Sequence, residues 1–143
     1  MDLWKEVYYN MKKQGIMNRQ LAGLIAGLGH MDEFMIADGG MPVPKGVEIV
    51  DLALCGGVPT FRQVMDAVLD EAVVEFYTLA DEIVEKNPEL LSYMEGKLEG
   101  VPCKMVSHVE LKRMTRDVKF VIRTGEFTPY PNVILRAGVA FSV

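Results

Sequence analysis

Short apolar runs alternate with segments of helical period along this chain, and that alternation constrains the fold more than any single motif. Residues 34–37, 47–54, 73–79, 101–107, 118–123 and 132–136 read as strands. Between them, 19–28, a segment opening at Thr60, 80–86, 89–98 and 109–116 read as helices. Asn18 is an N-cap for the first helix, where Leu21, Leu24, Ile25 and Leu28 recur on one face, and Gly29 takes the C′ place. Thr60 caps the second, and Asn87-Pro88 breaks one helix and starts another. Strands alternating with helices predict one three-layer α/β/α domain around a largely parallel sheet of about six strands. The last connection, 124–131, is shorter than the dozen or more residues a parallel crossover needs. The sheet is therefore mixed, with the last strand antiparallel to its sequence neighbour or paired elsewhere.

Length and charge narrow the partners. At 143 residues the chain is one domain with room for a real core. Half of it is apolar and 24% is charged, which excludes a disordered tail. The apolar share implies a sheet covered on both faces or a surface buried against other subunits. A net charge of −5 and no basic stripe argue against nucleic acid. No apolar run approaches the ~18 residues of a membrane span, and the start carries no leader-like run. The isolated Cys55 and Cys103 read as reduced thiols. Together these predict a cytoplasmic protein. The first ten residues, with Trp4, Val7 and Tyr8, form an amphipathic N-terminal extension.

The familiar cofactor signatures are missing. Gly23, Gly27 and Gly29 belong to a helix rather than a strand-to-helix turn, and no phosphate-cradling loop, nucleophile elbow or zinc spacing occurs. This points to proton-transfer chemistry with no cofactor and no metal. The two histidines, His30 and His108, both stand where loops meet regular structure. His30 reads as the first side chain past a helix end, where the negative end of the dipole favours imidazolium and suits it to proton donation. Asp38 and His108 follow strands, at the ends where open α/β sheets bind ligands. Converging, the three make a polar pocket. Each also has a structural alternative: a surface histidine, a turn aspartate, a helix cap. The acidic run from Asp66 to Glu85 reads as a solvated face and the methionines as core and interface filler. In the loop 123–132, Pro129 and Pro131 bracket Tyr130 and predict an extended backbone. A phenol followed by the Asn132 amide suits a sugar, whose C–H faces want ring area and whose hydroxyls want hydrogen bonds.

These residues resemble the D-ribose pyranases. Gly29-His30-Met31-Asp32 with Asp38-Gly39-Gly40-Met41-Pro42-Val43-Pro44 is similar to their G-H-x-D and D-A-G-L-P-I-P signature. Asp51-Leu52-Ala53-Leu54, Gly57-Val58-Pro59-Thr60-Phe61, Ser107-His108, Arg123-Thr124-Gly125-Glu126 and Pro129-Tyr130-Pro131-Asn132 follow in the family's order. The resemblance implies a cofactor-free isomerase that interconverts the β-pyranose and β-furanose forms of D-ribose. It further implies a homo-oligomer, a decamer of two pentameric rings with sites between adjacent subunits. Carried over by residue, His30 matches the proton donor, and Asp38, His108, Tyr130, Pro131 and Asn132 match sugar-binding positions. Two departures stand out. Pro131 lacks the backbone N–H the family usually has there. Arg136 replaces a small or uncharged side chain, with an expected effect on sugar preference or subunit contact. The related fucose mutarotases share the histidine and aspartate motifs, so an L-fucose enzyme is the nearest alternative. A non-catalytic sugar-binding module of a ribose-uptake system is the other.

Overall fold

The computed structural model describes residues 11–142; the extension read over 1–10 lies outside them. Helix α1 (Arg19–Ala26) leads to β1 (Glu33–Ala37) and β2 (Glu48–Asp51). Then come α2 (Phe61–Leu69), β3 (Val74–Ala80), α3 (Ile83–Lys86) and α4 (Pro88–Lys97). Strand β4 (Cys103–Val106), α5 (His108–Met114), a 3-10 turn (Thr115–Asp117), β5 (Phe120–Arg123) and β6 (Val133–Ala137) complete the domain.

The helix starts follow from their caps. Asn18 Oδ1 accepts the Leu21 N–H at 2.9 Å, and Thr60 forms a reciprocal capping box with Gln63. Helix α1 ends sooner than predicted, at Ala26, because Gly27 rather than Gly29 caps it. The strand predicted over 47–54 is trimmed at Asp51, since Leu54 turns back to the carbonyl of Val58. The strand predicted over 101–107 stops at Val106, because Ser107 leaves it to cap α5 through its hydroxyl.

The six strands lie in the order β2-β5-β1-β6-β3-β4. Strand β6 pairs antiparallel with β1 and β3, while the β1–β5, β2–β5 and β3–β4 pairs are parallel. Five strands therefore point one way and β6 alone points back. The predicted mixed, largely parallel sheet of six strands is what forms, and the last strand pairs away from its sequence neighbour. Alternation along β1 divides the core. Phe34 and Ile36 pack with α1 to α4 through Leu21, Phe61, Met65, Ile83 and Met94. Met35 and Ala37 face the other way, onto Leu111 of α5 and Met41 of the following loop. Helices on one face, and α5 with that loop on the other, give the three layers.

Candidate active site

Because β1, β3 and β4 run in one direction, their carboxyl ends share one edge of the sheet, joined there by the start of the reversed β6. Asp38 follows β1, Asp81 and Glu82 follow β3, His108 follows β4, and Asn132 precedes β6. Such an edge is where open α/β sheets gather ligand groups.

Asp38 and Asn132 hold each other. Asn132 is 0% exposed; its Oδ1 accepts the Asp38 backbone N–H at 2.8 Å and its Nδ2 donates to Asp38 Oδ2 at 3.2 Å. The other carboxylate oxygen accepts the Gly40 N–H at 2.9 Å. Asp38 is thus a turn residue whose carboxylate is aimed from both sides. His108 is the first residue of α5 rather than its cap, and its backbone N–H donates to the Glu82 carboxylate at 3.0 and 3.1 Å. Its ring meets Tyr130 edge to face, with centroids 5.0 Å apart, and its Nδ1 is buried with no hydrogen-bond partner among the described residues. Burial first, then the Lys112 ammonium, lower the pKa of this imidazole, against the pull of Glu82 and Asp38. A neutral imidazole offers one donor and one acceptor. Asp38, Met41, His108, Lys112 and Asn132 line a cavity of about 160 Å³, and a second of about 280 Å³ adjoins it at Asp38 and Gly40. Among the described residues, no cluster of three or more His, Cys, Asp or Glu side chains is placed to hold a metal ion.

The loop carrying Tyr130 is tied down along its length. Thr124 is buried, its hydroxyl donating to the Ala37 carbonyl at 2.8 Å. Glu126 Oε1 caps α2 through the Phe61 N–H. Asn87 Nδ2 donates to Thr128 Oγ1 and to the Pro129 carbonyl, both at 2.9 Å. A Cβ on Gly125 would stand 2.4 Å from the Val58 carbonyl oxygen, so only glycine fits there. The predicted extended Tyr130 is not observed: its φ is +63°, in the left-handed region. The anchored chain must reverse into β6 between Pro129 and the buried Pro131, and these contacts impose a conformation that local preference disfavours.

His30 does not join this group within one chain. It precedes β1 where Asp38 follows it, and five strand residues at ~3.3 Å each separate the two ends by on the order of 17 Å. Within one chain, therefore, the two histidines and Asp38 do not converge on one pocket. Nor does His30 stand at a helix end, since α1 stops four residues earlier. Its partner is Glu75, whose Oε2 lies 2.9 Å from His30 Nε2. His30 borders a separate cavity of about 470 Å³, lined also by α1, the residues just before β3, and the end of β6 with the residues after it. Arg136 sits at this end too, 3.7 Å from Glu33 and stacked over the Phe76 ring, remote from Asp38.

Three contributors escaped the sequence reading. Lys112 carried no signal beyond its i+4 spacing from His108. Glu75 and Glu82 read in the sequence as part of a solvated acidic face. Glu75 had one telling feature, a carboxylate inside the apolar run from Val73 to Ala80.

Comparison with known proteins matches this architecture. Residues 11–140 fit the RbsD / FucU transport protein family. A D-ribose pyranase of Geobacillus kaustophilus (strain HTA426) is 49% identical over 132 residues, covering 92% of this chain and 97% of the relative. The structure of Bacillus subtilis RbsD complexed with D-ribose superposes with a TM-score of 0.88 at 46% identity, over 92% of this chain and all of that one. The fucose mutarotase of Streptococcus pneumoniae in complex with L-fucose shares the fold, with a TM-score of 0.70 at 18% identity over 87% of this chain and 95% of its own. With the match spanning nearly the whole chain, the protein belongs to the RbsD / FucU family.

Proposed function

We propose that this chain is a D-ribose pyranase, an isomerase that exchanges the β-pyranose and β-furanose rings of D-ribose by general acid–base catalysis. The observation that carries the reading is the Asp38–Asn132 pair beside a buried, unpartnered His108 nitrogen on one small polar cavity. A monosaccharide hydroxyl supplies both the donor and the acceptor such groups lack. Identity near 50% to D-ribose pyranases, against 18% to the fucose mutarotase, favours ribose over L-fucose.

In the reaction a proton passes from His30 to the ring oxygen as the C1–O bond breaks. The anomeric hydroxyl gives its proton to a base, and C1 becomes the aldehyde. A different hydroxyl then closes on C1, returning both protons. His108, held neutral, is suited to the base role. Asp38, whose oxygens already accept from Gly40 and Asn132, binds sugar hydroxyls with Asn132 and the Tyr130 ring. Pro131 contributes shape but no N–H. Positioned acid–base groups supply roughly 10²–10⁴-fold, about 3–5 kcal/mol of barrier.

Since His30 lies at the far end of β1, the acid reaches the sugar from a neighbouring subunit. The active form is thus an oligomer, for which we take a decamer of two pentameric rings, acting in the cytosol. Mixing inactive His30→Ala and His108→Ala chains under conditions that exchange subunits tests this. Recovered ring exchange, read by saturation-transfer NMR of D-ribose, is expected, because mixed boundaries contain one intact site. Mixtures that stay as inactive as their components would refute the shared site.

A further inference from the structure

The end of the sheet that carries His30 contains more construction than an exposed imidazole needs. Met31, the next residue, has a φ of +73°, a left-handed conformation rare outside glycine. It is locked there by the ladder beside it: the Met31 N–H donates to the Ala137 carbonyl, and the Ala137 N–H to the Asp32 carbonyl, both at 2.8 Å. Strained backbone of this kind persists only where the surroundings overdetermine it, and it concentrates at working sites.

Strand β3 is irregular at the same level. Val74 stands opposite Ala137 and Phe76 opposite Arg136, so Glu75 is the extra residue of a bulge. A bulge re-aims a side chain that strict alternation would send elsewhere. Gly138 completes the seat: a Cβ there would lie 3.2 Å from the Glu75 Cβ and 3.2 Å from Val73 Cγ1. The neighbouring carboxylates are already engaged. Glu71 accepts the Ile16 N–H at 2.8 Å and pairs with Lys12, while Asp32 accepts the Gly29 N–H at 2.7 Å and pairs with Lys119. Glu75 is the acid left to face His30, with side chains 34% and 51% exposed respectively.

We propose that Glu75 is a positioning residue: its carboxylate accepts the Nε2–H of His30, fixes the ring, and leaves Nδ1 as the nitrogen that exchanges its proton with the sugar. The inference rests on the assignment of His30 as the acid. A carboxylate behind an imidazole selects the tautomer and steadies the imidazolium from which the proton departs. Glu75 itself touches no reacting atom.

The test uses the full chain in its assembled state, with Glu75→Ala, Glu75→Gln and His30→Ala compared by saturation transfer over a range of D-ribose concentrations. Partners that orient metal-bound histidines are worth roughly 10–100-fold, and on that scale Glu75→Ala should lower kcat by about that factor and leave KM nearly unchanged. Glu75→Gln keeps an accepting oxygen in the same volume and should recover part of the loss. Imidazole ¹⁵N spectra give a second readout, readily assigned because the chain has only two histidines. The His30 signals should report the Nε2–H tautomer in the parent and a mixture in Glu75→Ala. Unchanged kcat and tautomer in Glu75→Gln and Glu75→Ala, beside an inactive His30→Ala, overturn the positioning role alone. A fully active His30→Ala overturns the assignment beneath it.

Discussion

The two ends of the sheet are built on different plans. At the carboxyl end, Asp38, Asn132, Tyr130 and His108 are held by one chain's own hydrogen bonds and ring contacts, with Asn132 fully buried. At the other end, His30 and Glu75 form a pair open to solvent, with His30 at the border of a larger cavity. The binding half is preorganised by folding. In the proposed reaction the acid half is aimed by folding and meets its substrate only through assembly.

Replacing His30 separates the two ends most sharply. His30→Ala should lower ring exchange by roughly 10²–10⁴-fold. D-ribose affinity and the denaturation midpoint should change little, because the side chain is half exposed and lies away from Asp38. Saturation-transfer rates, a sugar titration and a urea curve check the three parts. A large loss of affinity would mean that both ends bind the sugar.

Asn132→Leu should show the opposite profile. It strands the Asp38 N–H and removes the donor to Asp38 Oδ2, which costs about 1–3 kcal/mol for buried groups left unpaired. Stability and D-ribose binding should fall together, seen in the same urea and titration experiments. Intact stability with lost binding would show that the pair serves the ligand only.

The smallest expected effect is on pH dependence. The native pKa of His108 lies below its ordinary 6.5, through burial and then Lys112. Between that native value and 6.5 the unfolded chain binds more protons than the native one. Its contribution to stability is therefore complete above pH 6.5 and declines as pH falls through that value towards the native pKa. Urea midpoints across this range should drop on acidification, and His108→Gln should flatten the slope. An equal slope in the variant would assign the effect to other groups.

Local chemistry made much of this readable in the residues. Asn18 and Thr60 announce their helices because a cap satisfies N–H groups three residues away. The apolar core of β1, and Asp38 at its end, are read the same way, from neighbours in the chain. Tyr130 defied its flanking prolines because Asn87, some forty residues earlier, holds the preceding carbonyl. Glu75 looked solvated because its bulge is defined against Arg136 and Ala137, partners that exist only once β6 pairs with β3.

By itself, the amino-acid order determined the α/β class, the mixed six-stranded sheet and the set of polar residues worth examining, since these depend on periodicity, capping and short motifs. Strand order and register belonged to the tertiary structure. They are set by pairings between distant segments, where side chains on both faces must be buried together. That arrangement brings Asp38, His108 and Asn132 to one edge and sends His30 with Glu75 to the other. Eight positions along the chain separate His30 from Asp38, and a whole strand keeps them apart in space.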